Sequence, residues 1–114
     1  MMKSRDMERL IKGAIARHLD MAKTLVFVFG SRANGHVKPS SDFDVGLYAE
    51  APIDWLTLGE IKEELGESDL PVTVDLVDFS DITEDFKRVA LKRIIVWNQP
   101  KKNLKLKLIS SAKP

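Results

Sequence analysis

Residues 29–47, FGSRANGHVKPSSDFDVGL, predict the end of one strand, a glycine turn, a polar loop and a second strand. In the second strand, apolar residues alternate with Asp42, Asp44 and Gly46. Successive side chains of a strand point to opposite faces, so Asp42 and Asp44 are expected on the same face. Their Cα atoms would lie about 6.6 Å apart, at about 3.3 Å per residue. Two carboxylates are therefore predicted to share one site.

This acidic pair is unfavourable without a counter-charge. Two neighbouring carboxylates repel each other, and the pKa of one of them rises. A divalent cation removes the repulsion, and a site with only oxygen ligands suits Mg²⁺ or Mn²⁺. Such ions usually keep several waters and take further oxygens from a substrate phosphate. Asp42 and Asp44 therefore predict a metal site that binds a nucleotide.

The residues before the acidic pair fit a phosphate ligand. Leu25–Phe29 is an unbroken apolar run, which predicts a central strand. Gly30 and Ser31 follow directly, and here the backbone can turn sharply and offer N–H groups to phosphate oxygens. Arg32 could bind a triphosphate or could be a solvated loop charge, and both interpretations stay open. Gly30 and Gly35 have the spacing of a P-loop, but the Lys-Ser/Thr that a P-loop needs is missing.

The pattern apolar-Gly-Ser, ten intervening residues and Asp-apolar-Asp-apolar resembles the signature of the polymerase-beta-like nucleotidyltransferases. The third carboxylate of that family lies on a later strand, and Val72–Val77 offers Asp75 in such a setting. A carboxylate on an otherwise apolar strand is costly to bury without a partner, which also favours a functional role for Asp75. Chain length and the lead-in Glu67–Pro71 are most similar to the minimal nucleotidyltransferases, which are often paired with a helical HEPN-type protein. The resemblance covers about Leu25–Trp97.

This resemblance implies a site and a reaction. Three carboxylates would hold two Mg²⁺ or Mn²⁺ ions as catalytic residues, and three turn residues would bind the nucleotide; these are Asp42, Asp44 and Asp75, and Gly30, Ser31 and Arg32. The implied reaction transfers a nucleoside monophosphate, expected to be AMP from ATP, to a hydroxyl of a HEPN-type partner and releases pyrophosphate. The alternative is a non-catalytic nucleotide-binding, antitoxin-like subunit that neutralises a HEPN-type ribonuclease by binding it.

Composition limits the other possibilities. With 114 residues, the chain is long enough for one hydrophobic core and too short for two ordinary domains. Its 18 basic and 17 acidic residues are interleaved, so general nucleic-acid binding is not expected. The absence of cysteine excludes disulfides and thiolate metal sites. Neither a signal peptide nor a membrane-spanning run is recognised, so a cytoplasmic location is the default expectation.

Hydrophobic periodicity predicts helices on either side of the motif. An amphipathic helix is expected over Ser4–Leu19, with Ser4 as its N-cap. His18 lies on the edge of its apolar stripe and is interpreted as an ordinary packed or capping residue. A second helix is expected from about Asp54 or Thr57 to Leu65, where Thr57 and Glu60 have capping-box spacing.

The remaining elements complete the predicted architecture. Asp81 and Glu84 form another possible capping box, which starts a helix to about Lys92, and Ile94–Trp97 is a brief strand. The order helix, strand, strand, helix, strand, helix, strand predicts an α/β (α+β) fold. It is expected to be a small mixed β-sheet with helices packed on one face, and the resemblance implies a site on the open face.

The chain is expected to divide near residue 100. Residues 1–100 would form the minimal nucleotidyltransferase domain, and residues 101–114 a basic C-terminal tail or an extra edge strand. In this tail leucines alternate with lysines from Leu104 to Leu108, which is typical of an edge strand or of a segment that pairs with another chain. A loosely ordered tail is the alternative interpretation.

Overall fold

The computed structural model describes residues 2–35 and 37–111. This part of the chain forms four helices, four strands and one 3-10 turn: α1 (Ser4–His18), β1 (Leu25–Phe29), the turn Gly30–Arg32, β2 (Phe43–Tyr48), α2 (Trp55–Gly66), β3 (Val74–Asp78), α3 (Glu84–Ala90), β4 (Ile95–Asn98) and α4 (Leu104–Ser111). The order from α1 to β4 is the predicted one. Among the described residues, no helix is long and apolar enough to cross a membrane.

The four strands form one mixed sheet in the order β3-β2-β1-β4. β1 pairs antiparallel with β2 and with β4, whereas β2 pairs parallel with β3. All five residues of β1 are buried. The central position predicted from its unbroken apolar run is therefore confirmed, because only a strand covered on both faces buries every side chain. The mixed sheet with its helices confirms the predicted fold class.

Helices cover both faces of the sheet, which corrects the expectation that they pack on one face. On the first face, α1 and α2 pack over the strands in a cluster that includes Ile11 and Val45. On the second face, α4 and residues of α3 pack on a separate cluster that includes Phe27, Phe79 and Leu108. The reason lies in β1, whose alternate side chains are apolar on both sides and need cover on both.

A polar contact joins α1 to α2 at the edge of the first face. The Arg17 guanidinium donates to the Glu64 carboxylate from Nε at 2.8 Å, and His18 Nε2 lies 3.0 Å from Glu64 Oε1. Two hydrogen bonds lower the pKa of Glu64; the bond from Arg17 has the larger effect, and the bond with His18 comes second. His18 therefore links α1 to α2, which agrees with its interpretation as an ordinary packed residue.

Two predicted helix starts need correction. Ser4 is the first residue of α1, and Lys3 occupies the cap position without a side-chain bond. The second helix begins at Trp55, directly after Asp54, which is the earlier of the two predicted starts. The predicted capping box at Thr57 is wrong. The spacing rule fails here because Thr57 already lies within the first turn, where its own backbone is helical.

The cap of α3 also differs from the predicted one. Thr83 Oγ1 accepts a hydrogen bond from the backbone N–H of Phe86 at 3.2 Å, so Thr83 and not Asp81 caps this helix. Both residues have capping side chains, and spacing alone does not choose between them. The helix ends at Ala90, two residues before the predicted end.

The C-terminal segment is a helix, so the predicted edge strand is wrong. In α4, Leu104 and Leu108 are buried on the second face, whereas Leu106 is exposed. Leucines four residues apart share one side of a helix. An alternation of leucine with lysine therefore satisfies the helical pattern as well as the strand pattern. Residues 112–114 of the predicted tail lie outside the described part of the chain.

Gly46 marks a place where the second face has no room for a side chain. A Cβ on Gly46 would lie 2.3 Å from the ring of Phe27. That ring is fully buried, with its centroid 4.8 Å from that of Phe79. We expect Gly46→Ala to lower the free energy of unfolding by about 1–3 kcal/mol, the usual effect of overpacking a core. Urea unfolding measures this change.

Gly59 in α2 provides the matched control for Gly46. In the part of the chain that the structure describes, a Cβ there would meet no atom within 4 Å. Gly59→Ala should therefore stabilise the helix by about 0.5–1 kcal/mol, because alanine loses less backbone entropy than glycine. A Gly46→Ala protein as stable as its parent would contradict the packing described for Phe27.

Candidate active site

A tight turn follows β1 and gives the site its backbone. Gly30 has φ 74°, in the left-handed region that favours glycine. The backbone N–H groups of Ala33 and Asn34 donate to Gly30 O at 3.1 and 3.2 Å, and Asn34 Nδ2 donates to the same oxygen at 2.8 Å. These bonds hold Gly30–Arg32 as a 3-10 turn. The turn that the Gly-Ser pair predicts is therefore present.

Gly30 lies against the carboxylate of Asp44. A Cβ on Gly30 would be 2.2 Å from Asp44 Oδ2 and 3.0 Å from its Cγ. The two elements meet because Phe29, the last residue of β1, pairs with Asp44 in the antiparallel ladder. The absence of a side chain at Gly30 is thus what allows the carboxylate to approach the turn.

The parallel pairing of β2 and β3 brings Asp44 and Asp75 together. Their Cα atoms are partners in the register, so both side chains leave the sheet on the same face. This face is the second one, because the neighbouring residues Phe43 and Leu76 point into the first-face cluster. The predicted convergence of these two carboxylates is therefore observed.

Asp42 lies just before β2 and makes a different contact. Its Oδ1 accepts a hydrogen bond from the backbone N–H of Thr73 at 3.3 Å. Within residues 2–35 and 37–111, no group of three or more acidic or histidine side chains lies close enough together to hold a metal ion. The carboxylate of Asp42 thus bonds to the strand lead-in and does not complete a set of three ligands with Asp44 and Asp75.

Electrostatic coupling nevertheless links the three carboxylates. The pKa of Asp44 is raised, first by burial, then by the negative charge of Asp75 and then by that of Asp42. Removing water from Asp44 and adding two like charges both disfavour its ionised form. Asp44 is therefore the carboxylate at which burial and the negative charges of Asp75 and Asp42 act together.

Arg32 binds the loop that follows it. Its Nε and Nη2 donate to Ser41 O at 3.0 and 2.6 Å, and Nη2 also donates to Pro39 O at 3.2 Å. The guanidinium carbon lies 3.8 Å from the ring centroid of Phe43. Burial in this place lowers the pKa of Arg32, and the charge of Asp42 opposes that shift. Arg32 is thus not a freely solvated loop charge, and nucleotide binding by it stays a prediction, as does phosphate binding by the exposed Ser31.

Two contributors to this site were not predicted. The side chain of Asn34 fastens the turn through Gly30 O, and the N–H of Thr73 holds Asp42. Asn34 had a signal, because asparagine side chains in tight turns commonly bond to nearby backbone groups. No signal in the sequence indicated the role of Thr73, because that role depends on how β3 aligns with β2.

A family model described as polymerase beta nucleotidyltransferase matches residues 14–102. The chain belongs to this family. The predicted resemblance is thereby confirmed. A curated relative, the probable protein adenylyltransferase MntA of Haemophilus influenzae, is 39% identical over 79 residues, which is 69% of this chain and 69% of that protein.

Solved structures share the fold. A toxin–antitoxin structure with AMP-PNP superposes with a TM-score of 0.70 at 23% identity, over 91% of this chain and 85% of that one. The structure of a tri-AMPylated Shewanella oneidensis HEPN toxin with its MNT antitoxin also gives a TM-score of 0.70, at 21% identity, over 96% of this chain and 86% of that one. At these identities the likeness establishes the common architecture.

Proposed function

We propose that this chain is a metal-dependent nucleotidyltransferase that transfers AMP from ATP to a hydroxyl of a HEPN-type partner protein. The observation that carries the proposal is the pairing of Asp44 with Asp75 beside the turn at Gly30. The Haemophilus influenzae relative is called a protein adenylyltransferase, and the similar structures contain AMP-PNP in one case and an AMPylated HEPN toxin in another. These names support the choice of nucleotide and of partner.

The donor chemistry of the site fits a hard divalent cation. Its carboxylates offer only oxygen, which suits Mg²⁺ or Mn²⁺. Burial, and then the negative charges of Asp75 and Asp42, raise the pKa of Asp44, and such an ion would neutralise those charges. Asp44 and Asp75 would hold the metal, and Asp42 would join them after leaving the N–H of Thr73. When bound, the ions would neutralise phosphate charge and lower the pKa of the attacking hydroxyl.

The remaining groups of the site would position the nucleotide. Gly30 lets a phosphate come close to the backbone because no side chain stands in the way. The exposed hydroxyl of Ser31 lies next to it in the same turn. Arg32 fixes the conformation of the loop that leads into Asp42. Positioning and stabilisation of charge are the main protein contributions expected for an in-line phosphoryl transfer.

A transfer assay tests the proposal directly. The chain is incubated with Mg²⁺, ATP and a HEPN-type protein, and the masses of both proteins are measured. We expect the HEPN-type protein to gain one or more AMP units, with release of pyrophosphate, because the site presents an α-phosphate to an external hydroxyl. Reactions with GTP, CTP or UTP serve as controls for the nucleotide. No mass gain with any nucleotide, from a chain that binds its partner, would contradict the proposal.

One observation favours the second candidate, a non-catalytic antitoxin-like subunit. Asp42 is bonded to Thr73, and the described residues contain no complete metal-ligand cluster. A chain of this kind would neutralise its HEPN-type partner by binding alone. A cytoplasmic location accompanies both candidates and stays a prediction.

A further inference from the structure

A cavity of about 320 Å³ lies between the end of β1 and the end of α3. Small-molecule sites usually measure about 300–1,000 Å³, so this volume suits a compact ligand. Apolar side chains form most of its wall, and two cationic residues stand at its edge. Its principal lining residues are Phe29, Gly30, Phe86, Val89, Lys92 and Arg93.

The cavity adjoins the acidic pair. Phe29 and Gly30 line it, Phe29 is the register partner of Asp44, and Gly30 is in contact with the Asp44 carboxylate. Neighbouring strands are about 4.8 Å apart, so the cavity begins about one strand away from the carboxylates. A phosphate held at Asp44 would therefore have the group attached to it within reach of the cavity.

The wall of the cavity suits a flat, partly apolar group. Phe86 and Val89 are 44% and 65% exposed although both are apolar. The ring of Phe86 is fixed by an edge contact with Phe29, at a centroid distance of 5.9 Å. An exposed aromatic ring held in one orientation is a stacking surface for a nucleobase.

The charge at the edge of the cavity suits a ligand that also carries phosphates. Lys92 and Arg93 are exposed, and in the described part of the chain neither has an acidic side chain within ion-pair distance. Both residues line the cavity that adjoins Asp44 through Phe29 and Gly30. A nucleoside triphosphate with bound cations fits both the aromatic wall and the cationic residues, because it carries an aromatic base and anionic phosphates.

We propose that this cavity binds the base and ribose of the nucleotide whose α-phosphate lies at Asp44. The inference rests on the proposed function and adds the place where the nucleoside is recognised. In this proposal Phe86 and Val89 contribute to nucleotide affinity by contacting the nucleoside, whereas the turn at Gly30 binds the phosphates. The competing occupant is an aromatic acceptor side chain of the partner protein, and this alternative is an outcome of the test below.

The experiment compares Val89→Gln with Leu56→Gln by calorimetric titration of Mg²⁺-ATP and of Mg²⁺-tripolyphosphate. Leu56 is the matched control, because it is 55% exposed on a helix of the other face. We expect Val89→Gln to weaken ATP binding roughly fivefold or more, because the nucleoside would cover an amide that has no hydrogen-bond partner. Tripolyphosphate binding should be unchanged, and Leu56→Gln should change neither. Phe86→Leu, which keeps an apolar side chain but removes the ring, should behave like Val89→Gln.

The possible results are distinguishable. Equal weakening of ATP and tripolyphosphate binding would assign the cavity to phosphates and overturn the inference. Normal ATP binding by Val89→Gln, with loss of transfer to the partner protein, would assign the cavity to the acceptor and also overturn it. If the parent chain binds no ATP at all, the proposed function fails; if the parent binds ATP and both cavity variants bind it equally well, only this inference fails.

Discussion

Asp44→Asn is expected to abolish AMP transfer while leaving the fold intact. We propose Asp44 as a metal ligand, because its carboxylate is coupled to those of Asp75 and Asp42, and the asparagine amide would bring no negative charge to the ion. Loss of several kcal/mol of charge stabilisation in the transition state corresponds to a rate reduction of at least about 10³-fold. Single-turnover transfer to the HEPN-type partner measures it. Asp81→Asn, at an exposed carboxylate outside the site, is the control and should transfer normally.

The stability of Asp44→Asn should depend on pH in a defined direction. The pKa of Asp44 is raised in the folded protein, so its ionised form destabilises the fold at neutral pH. This penalty decreases as pH falls through the folded-state pKa and disappears below the unfolded-state pKa, where the carboxyl is protonated in both states. Metal-free Asp44→Asn should thus be at least as stable as the parent at neutral pH, and the difference should vanish in acid. Lower stability of the variant at neutral pH would contradict the coupling.

The same variant separates the two candidate functions. If neutralisation of the HEPN-type protein depends on AMP transfer, Asp44→Asn should fail to neutralise it although the two proteins still associate. Growth rescue and co-purification measure the two properties separately. Full neutralisation by Asp44→Asn would favour the binding subunit over the enzyme.

The parts of the site that could be predicted depend on local periodicity. Alternation in β2 and the apolar run of β1 fix which side chains share a face, and Gly30 is the residue that a sharp turn requires. The pairing of Asp44 with Asp75 then follows from a parallel alignment of two strands. The shared faces and the turn are short-range consequences of residue type, whereas the place of Asp75 beside Asp44 was expected from the family resemblance.

The features that could not be predicted depend on contacts between distant segments. Asp42 bonds to the backbone of Thr73, 31 residues away, and no periodicity reports this choice of side-chain conformation. Leu104 and Leu108 of α4 belong to the buried cluster of the second face, yet the leucine spacing of this helix fits a strand equally well. The local sequence fits a strand and a helix equally well, and tertiary packing favours the helix.

Gly30→Ala is expected to reduce AMP transfer by at least about 10²-fold at a modest loss of stability. Alanine in the left-handed region costs about 1–2 kcal/mol, and Gly30 has φ 74°. Its new Cβ would also lie 2.2 Å from Asp44 Oδ2, so the carboxylate has to rotate away from the turn. A displacement of about 1 Å in a reacting group is enough for such a loss of rate.

Gly35→Ala is the matched control for this prediction. Gly35 has φ 79°, so alanine meets the same backbone strain, but among the described residues a Cβ there would have no atom within 4 Å. Gly30→Ala should therefore lose at least as much stability as Gly35→Ala in urea unfolding, whereas only Gly30→Ala should lose transfer activity. If Gly35→Ala lost activity to the same extent, the conformation of the loop, and not the contact between Gly30 and Asp44, would control the reaction.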